Sequence, residues 1–252
     1  MKSKVLVFDI ETAPVLAYVW GLKDQNVAVN QINRDWYVIA WAAKWLGAPA
    51  SEVMYMDQRA AKDIEDDKKI LGALWKLLDE ADIVVTQNGK NFDGPKLNAR
   101  FIMHGMRPPS PYKHLDTYQI ARNAAKFTSN KLEYLTDKLC TKYKKLEHAK
   151  FPGFSLWKEC LLGNIKAWDE MRKYNKHDVL ATEELYMKLR AWAPQNAPRV
   201  YNIGHLLSQC ATCGAEGRME SRGYSYTRVS RFRSMRCKNC GTWVCGKREP
   251  LP

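Results

Sequence analysis

Residues 4–12 read KVLVFDIET, and this stretch decides the fold. Its first seven residues form a short, nearly continuous apolar run, as expected of a strand buried on both faces in the middle of a sheet. Side chains alternate along a strand, so Asp9 and Glu11 share one face at the end of the run. Two ionised carboxylates there repel each other and lose hydration. Burial and a like-charged neighbour both raise a carboxylate pKa, so the pair stays ionised at little cost only when a cation joins it. Hard oxygen donors favour Mg²⁺ or Mn²⁺ over zinc or copper. A plainer account makes the pair a solvated strand end that Pro14 terminates.

Two more acids stand out further along the chain. Asp93, in QNGKNFDGPKL (87–97), precedes Gly94 and Pro95 and then the apolar positions Leu97, Phe101 and Ile102. That is a favourable helix N-cap with proline in the first turn, a role compatible with metal binding. Asp178, in YNKHDV (174–179), falls on a helical stripe with Ala167, Met171, Tyr174, Ala181 and Leu185. An acid on an apolar stripe needs a reason. Tyr174 lies one turn before Asp178 on the same face, while His177 is rotated by roughly 100°, so the tyrosine is the residue beside the fourth carboxylate.

FDIET, NGKNFDGPKL and YNKHD, in this order, resemble the three motifs of the DEDD (DnaQ-like) 3′–5′ exonucleases of the ribonuclease H-like fold. The resemblance covers residues 1–192. The Tyr-x-x-x-Asp spacing is similar to the tyrosine branch of that family; the histidine branch would place histidine at position 173, which is Lys173. HLDTYQIARNAAKFTSNKLEYLTDKL (114–139) resembles the connecting helical region, with Asp116 and the SNKL segment in matching places. The resemblance implies that Asp9, Glu11 and Asp178 hold the metal carrying the attacking water, and that Asp9 bridges to a second metal near the leaving oxygen. Asp93 would act on that second metal through water, and Tyr174 would orient or help deprotonate the nucleophile. Two cations about 3.5–4 Å apart suit an in-line displacement at phosphorus, and the chain carries no serine or cysteine arrangement that suggests a protein nucleophile.

Lys and Arg number 40 against 27 Asp and Glu, a formal +13, which fits a polyanionic partner. No apolar run is long enough for a membrane span, and the N-terminus enters a strand directly, so an intracellular protein (cytoplasm or nucleoid, not secreted) with no membrane partner is expected. WAPQNAPR (192–199) has two prolines and no periodicity. It marks a linker, taken as 193–205, between a nuclease domain (1–192) and a tail (206–252).

The tail holds Cys210-Ala-Thr-Cys213, then 23 residues, then Cys237-Lys-Asn-Cys240. Paired knuckles at this separation predict a tetrahedral structural Zn²⁺ site, with disulfides as the alternative that a reducing compartment disfavours. Cys245 is a spare thiol or substitute ligand, and Cys140 and Cys160 read as core residues. Between the knuckles, RGYSYTRVSRFRSMR (222–236) alternates like a hairpin turning near Val229 and Ser230. Residues 200–252 carry nine Lys or Arg against three Glu, a formal +6; four thiolates around one Zn²⁺ would leave about +4. Arg222, Arg228, Arg231, Arg233 and Arg236 interleave with Tyr224 and Tyr226 as a candidate nucleic-acid face. Phe232 and Trp243 are expected in the ribbon's small core.

Further strands are expected over 36–45, 53–56 and 83–86, an amphipathic helix over 62–80, and helices from there to the linker. The tryptophans at 20, 36, 41 and 45 read as core. The expected architecture is α/β: a ribonuclease H-like mixed five-stranded sheet flanked by helices, plus a small β zinc ribbon. The expected activity is a two-metal (Mg²⁺ or Mn²⁺) 3′–5′ exonuclease releasing nucleoside monophosphates, with DNA, single-stranded or frayed at its 3′ end, preferred over RNA. Open alternatives are an exoribonuclease, a proofreading subunit acting in trans with a DNA polymerase or another replication or repair protein, and a binder that does not cut.

Overall fold

The computed structural model describes residues 3–144, 146, 150–194, 197 and 209–249. Its main sheet is built from β1 (Val5–Thr12), β4 (Val38–Trp45), β5 (Met54–Asp57), β6 (Ile83–Thr86) and β7 (Lys113–Asp116), in the order β5-β4-β1-β6-β7. A two-stranded ribbon of β2 (Leu16–Ala17) and β3 (Ile32–Arg34) lies outside it. β4 runs antiparallel to β1 and β5, while β1, β6 and β7 are parallel. The sheet is therefore mixed, and the apolar run 5–10 forms its central strand.

Both faces of β1 are covered. Val5 and Val7 pack with Ile120 of α3 (Thr117–Ala124), Leu135 of α4 (Leu132–Leu139) and Val179 and Leu185 of α6 (Ile165–Leu189). Leu6, Phe8 and Ile10 pack on the opposite face with Leu71, Leu74 and Leu78 of α1 (Lys68–Glu80) and Leu97 and Phe101 of α2 (Asp93–Met103). Asp9 and Glu11 continue the Val5/Val7 row and so emerge on the α6 side. A third apolar group joins Tyr37 and Ile39 to Leu156 and Cys160 of α5 (Ser155–Leu161) and to Trp168, Met171 and Tyr174 of α6.

α6 is fastened to the sheet by an ion pair the sequence does not announce. Lys44 is 1% exposed, and its ammonium lies 2.7 Å from Glu183 and 2.6 Å from the Ala48 carbonyl. The neighbouring Glu184 turns the other way and accepts the backbone N–H groups of Thr141, Lys142 and Tyr143. A second buried centre is Asp67, fully enclosed, which accepts from Val38 N and from the Arg100 guanidinium and contacts the His104 ring.

Several expectations need correction. The helix expected over 62–80 starts at Lys68, because Gln58 holds the carbonyls of Ile64 and Asp66 and Asp67 points into the core. β7 falls inside a segment read as helical; only Leu115 in KHLD is apolar, and pairing with β6 makes it a strand. Trp36 precedes β4, with the Lys96 ammonium 3.6 Å above its ring. Trp20 is 99% exposed rather than core, and Trp41 is buried. Apart from 193, 194 and 197, the expected linker 193–205 lies outside the described residues.

The C-terminal β region contains β8 (Met219–Tyr226), β9 (Arg231–Cys237) and β10 (Trp243–Glu249), in the order β10-β9-β8. β8 and β9 form the expected hairpin, closed by Thr227 N donating to Ser230 O at 2.8 Å. β10 is an added strand.

Candidate active site and cysteine cluster

Asp9, Glu11, Asp93, Tyr174 and Asp178 line one cleft of about 350 Å³. Three elements, β1, α2 and α6, supply them. β1 extends past its last pair with β6, Val7↔Val85, and beyond that point the N–H of Ile10 is taken by the Asp93 carboxylate at 3.0 Å. Asp93 is the first residue of α2 rather than its N-cap, which is Phe92. Its carboxylate thus joins the start of α2 to β1.

The turn before Asp93 is tightly wound. Asn88 has φ +63°, and the Asp116 carboxylate accepts from Asn88 N, Lys90 N and Tyr118 N, so one buried acid shapes this turn and caps α3. A Cβ on Gly89 would lie 2.3 Å from Thr86 Oγ1, so only glycine fits there. Burial pushes Asp93 up to about 7, the N–H groups of Ile10 and of Asp93 itself pull it down, and the Asp116 charge adds to the rise.

α6 crosses β1 with three residues turned to this end. Tyr174 and Asp178 are buried and hydrogen-bonded one turn apart. Burial, followed by the charges of Asp178, Glu11 and Asp9, holds the Tyr174 hydroxyl far above the ordinary tyrosine range. Asn175, fully buried, donates from Nδ2 to Asp9 Oδ2 at 2.7 Å. From α5, Trp157 Nε1 donates to Glu11 Oε2 at 3.1 Å while its ring meets Tyr174 edge-on, centroids 5.9 Å apart. His177 contacts the Lys144 carbonyl and does not line the cleft.

The sequence reading missed Asn175 and Trp157, whose partners lie 166 and 146 residues away. It also missed Gln87, Asn88, Phe92, Tyr118, Lys131 and Glu133 on the cleft wall. Five acids and one lysine therefore share a single cleft in a chain of net charge +13. Carboxylate oxygens at this density suit hard divalent cations. Among the described residues the acids are not drawn into a tight cluster, since only the cysteine group places three or more ligand atoms within 4.8 Å of one another. Three oxygens on one Mg²⁺ at about 2.1 Å stand within about 4.2 Å of one another, so Asp9, Glu11 and Asp178 would have to draw closer together to hold a shared ion.

That cysteine group is Cys210, Cys213, Cys237 and Cys240. Its Sγ–Sγ separations of 3.7 Å, for Cys210–Cys240 and Cys213–Cys237, exceed a disulfide bond of about 2.05 Å and leave room for an ion between the sulfurs. Asn239 donates to Cys213 Sγ at 3.4 Å. Burial pushes Cys213 up, but this amide, the Ala215 N–H and the neighbouring thiols outweigh it and bring Cys213 down to about 7. Cys245 is exposed, whereas Cys140 and Cys160 are buried.

On the hairpin, Tyr224 and Tyr226 are exposed, and Arg231 and Arg233 stack on Tyr224 at 4.8 and 5.9 Å. The register sets Tyr224 opposite Arg233 and Tyr226 opposite Arg231. Arg222 is engaged by Glu220 at 2.7 Å, and Arg228 is exposed in the turn. Trp243, expected in the core, is 47% exposed with Arg236 over its ring, because β10 is an edge strand; Phe232 is half-buried.

Among the described residues no helix is long and apolar enough to cross a membrane. A comparison with curated protein sequences found no match. Among solved structures, the family B DNA polymerase from the hyperthermophilic archaeon Pyrobaculum calidifontis superposes with a TM-score of 0.53 at 13% identity, over 90% of this chain and 31% of that one. The chain thus spans about a third of that polymerase's length, and the likeness is one of fold. A family model described as RNase_H superfamily matches residues 42–190, more than half of the sequence. The chain belongs to the RNase_H superfamily.

Proposed function

We propose that this chain is a metal-dependent 3′–5′ exonuclease of the tyrosine-type DEDD branch. It would hydrolyse nucleic acid, single-stranded or frayed DNA in preference to RNA, to nucleoside monophosphates. The observation that carries this is the meeting of Asp9, Glu11, Asp93 and Asp178 with Tyr174 in one cleft of a strongly basic, RNase_H-superfamily chain. Asp9, Glu11 and Asp178 would hold one Mg²⁺ or Mn²⁺, and Asp9 and Asp93 would serve a second. When bound, such a pair of cations supplies Lewis-acid charge to the attacking and leaving oxygens of an in-line displacement.

The chain's own residues do the rest. Asn175 and Trp157 orient the carboxylates of Asp9 and Glu11. The Tyr174 hydroxyl, hydrogen-bonded to Asp178, would orient or help deprotonate the attacking water. Lys131 on the wall offers a positive charge to a phosphate.

In the tail, the four cysteines would hold one structural Zn²⁺. A tetrahedron with Zn–S bonds of about 2.3 Å has edges of about 3.8 Å, close to the 3.7 Å found. The Tyr224–Tyr226–Arg231–Arg233 face, with Arg222, Arg228 and Arg236 around it, would stack bases and track the phosphate backbone. Deletion of residues 200–252 should therefore lower affinity and processivity; equal values would remove this role.

The deciding experiment digests end-labelled single- and double-stranded DNA and RNA with Mg²⁺, Mn²⁺ or chelator. Metal-dependent shortening of single-stranded DNA from its 3′ end is expected. Stepwise loss from the 5′ end, or activity on RNA alone, would overturn the polarity or the substrate. Tyr174→Phe should lower turnover while leaving metal affinity nearly intact, and an unchanged rate would remove Tyr174 from the mechanism.

A further inference from the structure

Asn175 is an unusual residue to find where it stands. It occupies the interior of α6, a position where asparagine is a poor helix former. Its side chain is fully buried, and its Oδ1 has no hydrogen-bond partner among the described residues. A leucine, with the same number of side-chain heavy atoms, would remove both penalties. Half-satisfied buried amides are rare, and each calls for an explanation; local rules of this kind are broken chiefly at functional sites.

The other half of the amide supplies the explanation. Nδ2 donates to Asp9 Oδ2 at 2.7 Å and approaches the Asp9 carbonyl at 3.5 Å. Two contacts from one rigid amide fix both the carboxylate and the backbone that carries it. Holding Oδ2 sets the plane of the carboxylate, and with it the direction in which the second oxygen faces the cleft. Asn175 sits next to Tyr174 and three residues before Asp178, so the same helix that presents those two residues also aligns Asp9 with them. Resting on the nuclease reading, we infer that Asn175 is a positioning residue for Asp9, retained to set the metal-binding geometry and not to stabilise the fold.

The test separates the two roles because they move different readouts. Asn175→Leu should leave the melting temperature equal to or above wild type, since it removes an unsatisfied buried amide. It should weaken Mn²⁺ binding, measured by calorimetry on metal-stripped protein, by about 10- to 100-fold, the usual effect of losing a group that orients a metal ligand. Asp178→Ala, which removes a ligand of the first ion, serves as the blank that isolates binding at that ion's site. Should Asn175→Leu fail to fold, Asn175→Ala, which also removes the donor without adding bulk, decides the matter by the same measurement. A folded variant with Mn²⁺ affinity within threefold of wild type overturns this inference alone. If wild type shows no Mn²⁺ binding beyond the Asp178→Ala blank, the nuclease reading fails and takes this inference with it.

Discussion

Replacing Lys44 by methionine tests how α6 is held against the sheet. The substitution keeps the length of the side chain and removes the ammonium, leaving Glu183, 16% exposed at its side chain, with Gly47 N–H at 2.8 Å but without the cation at 2.7 Å. Breaking a buried pair from one side costs about 3–5 kcal/mol, because the remaining charge stays desolvated. At about 2–4 °C per kcal/mol for a protein of this size, the melting temperature should fall by roughly 6–20 °C. The double variant Lys44→Met/Glu183→Leu should recover most of the loss, since replacing both partners by apolar groups is close to neutral. The exposed Gly47 N–H can turn to water. Urea titrations followed by far-UV circular dichroism give both values. A single variant within about 1 kcal/mol of wild type, or a double variant as unstable as the single one, would refute the reasoning.

Three further perturbations probe other parts of the molecule. Gly89→Ala should destabilise by about 1–3 kcal/mol and lower activity, because Thr86, which the new Cβ meets at 2.3 Å, is itself buried and bonded to His114; a fully active, equally stable variant would show that the turn before Asp93 can yield. Burial pulls Glu184 up, but the backbone N–H groups of Thr141, Tyr143 and Lys142 outweigh it and hold the group below the usual carboxylate range. Its contribution is present above the unfolded pKa of about 4.3 and is lost as pH falls through the lower folded value, so the stability gap between wild type and Glu184→Gln should shrink between pH 5 and 3; a constant gap would contradict the assignment. A strong zinc chelator should unfold the β8–β10 region, seen as new proteolytic cleavage after its arginines, while the helical signal of the rest stays unchanged; unaltered proteolysis would argue against a metal in the cysteine cluster.

Legibility from sequence followed the reach of the interactions. β1 was readable because a strand buried on both faces must be a continuous apolar run. The cysteine knuckles and the hairpin announced themselves through spacing and alternation. β7 did not, because with a single apolar residue its identity comes from β6 beside it. Lys44 reads as a polar interruption of a strand until Glu183, 139 residues away, is seen to face it. Asn175 and Trp157 were invisible for the same reason: each acts on an acid at the other end of the chain. Asp9, Glu11 and Asp178 could be picked out because each broke a local apolar pattern, Asp93 because it opened a helix, and Tyr174 because it stood one turn from Asp178; their supports stand out through no such short-range signal. Trp20 and Trp243 were misplaced because tryptophan's usual burial says nothing about an edge strand or a protruding loop.

The most direct test of the account follows a 5′-labelled single-stranded DNA oligonucleotide through time with Mn²⁺, comparing wild type with Asp178→Ala. A ladder of products shortened one nucleotide at a time from the 3′ end by wild type, and an intact oligonucleotide with the variant, is the predicted result. Equal inactivity of both proteins, or equal degradation by both, would contradict the assignment of the cleft as a nuclease centre.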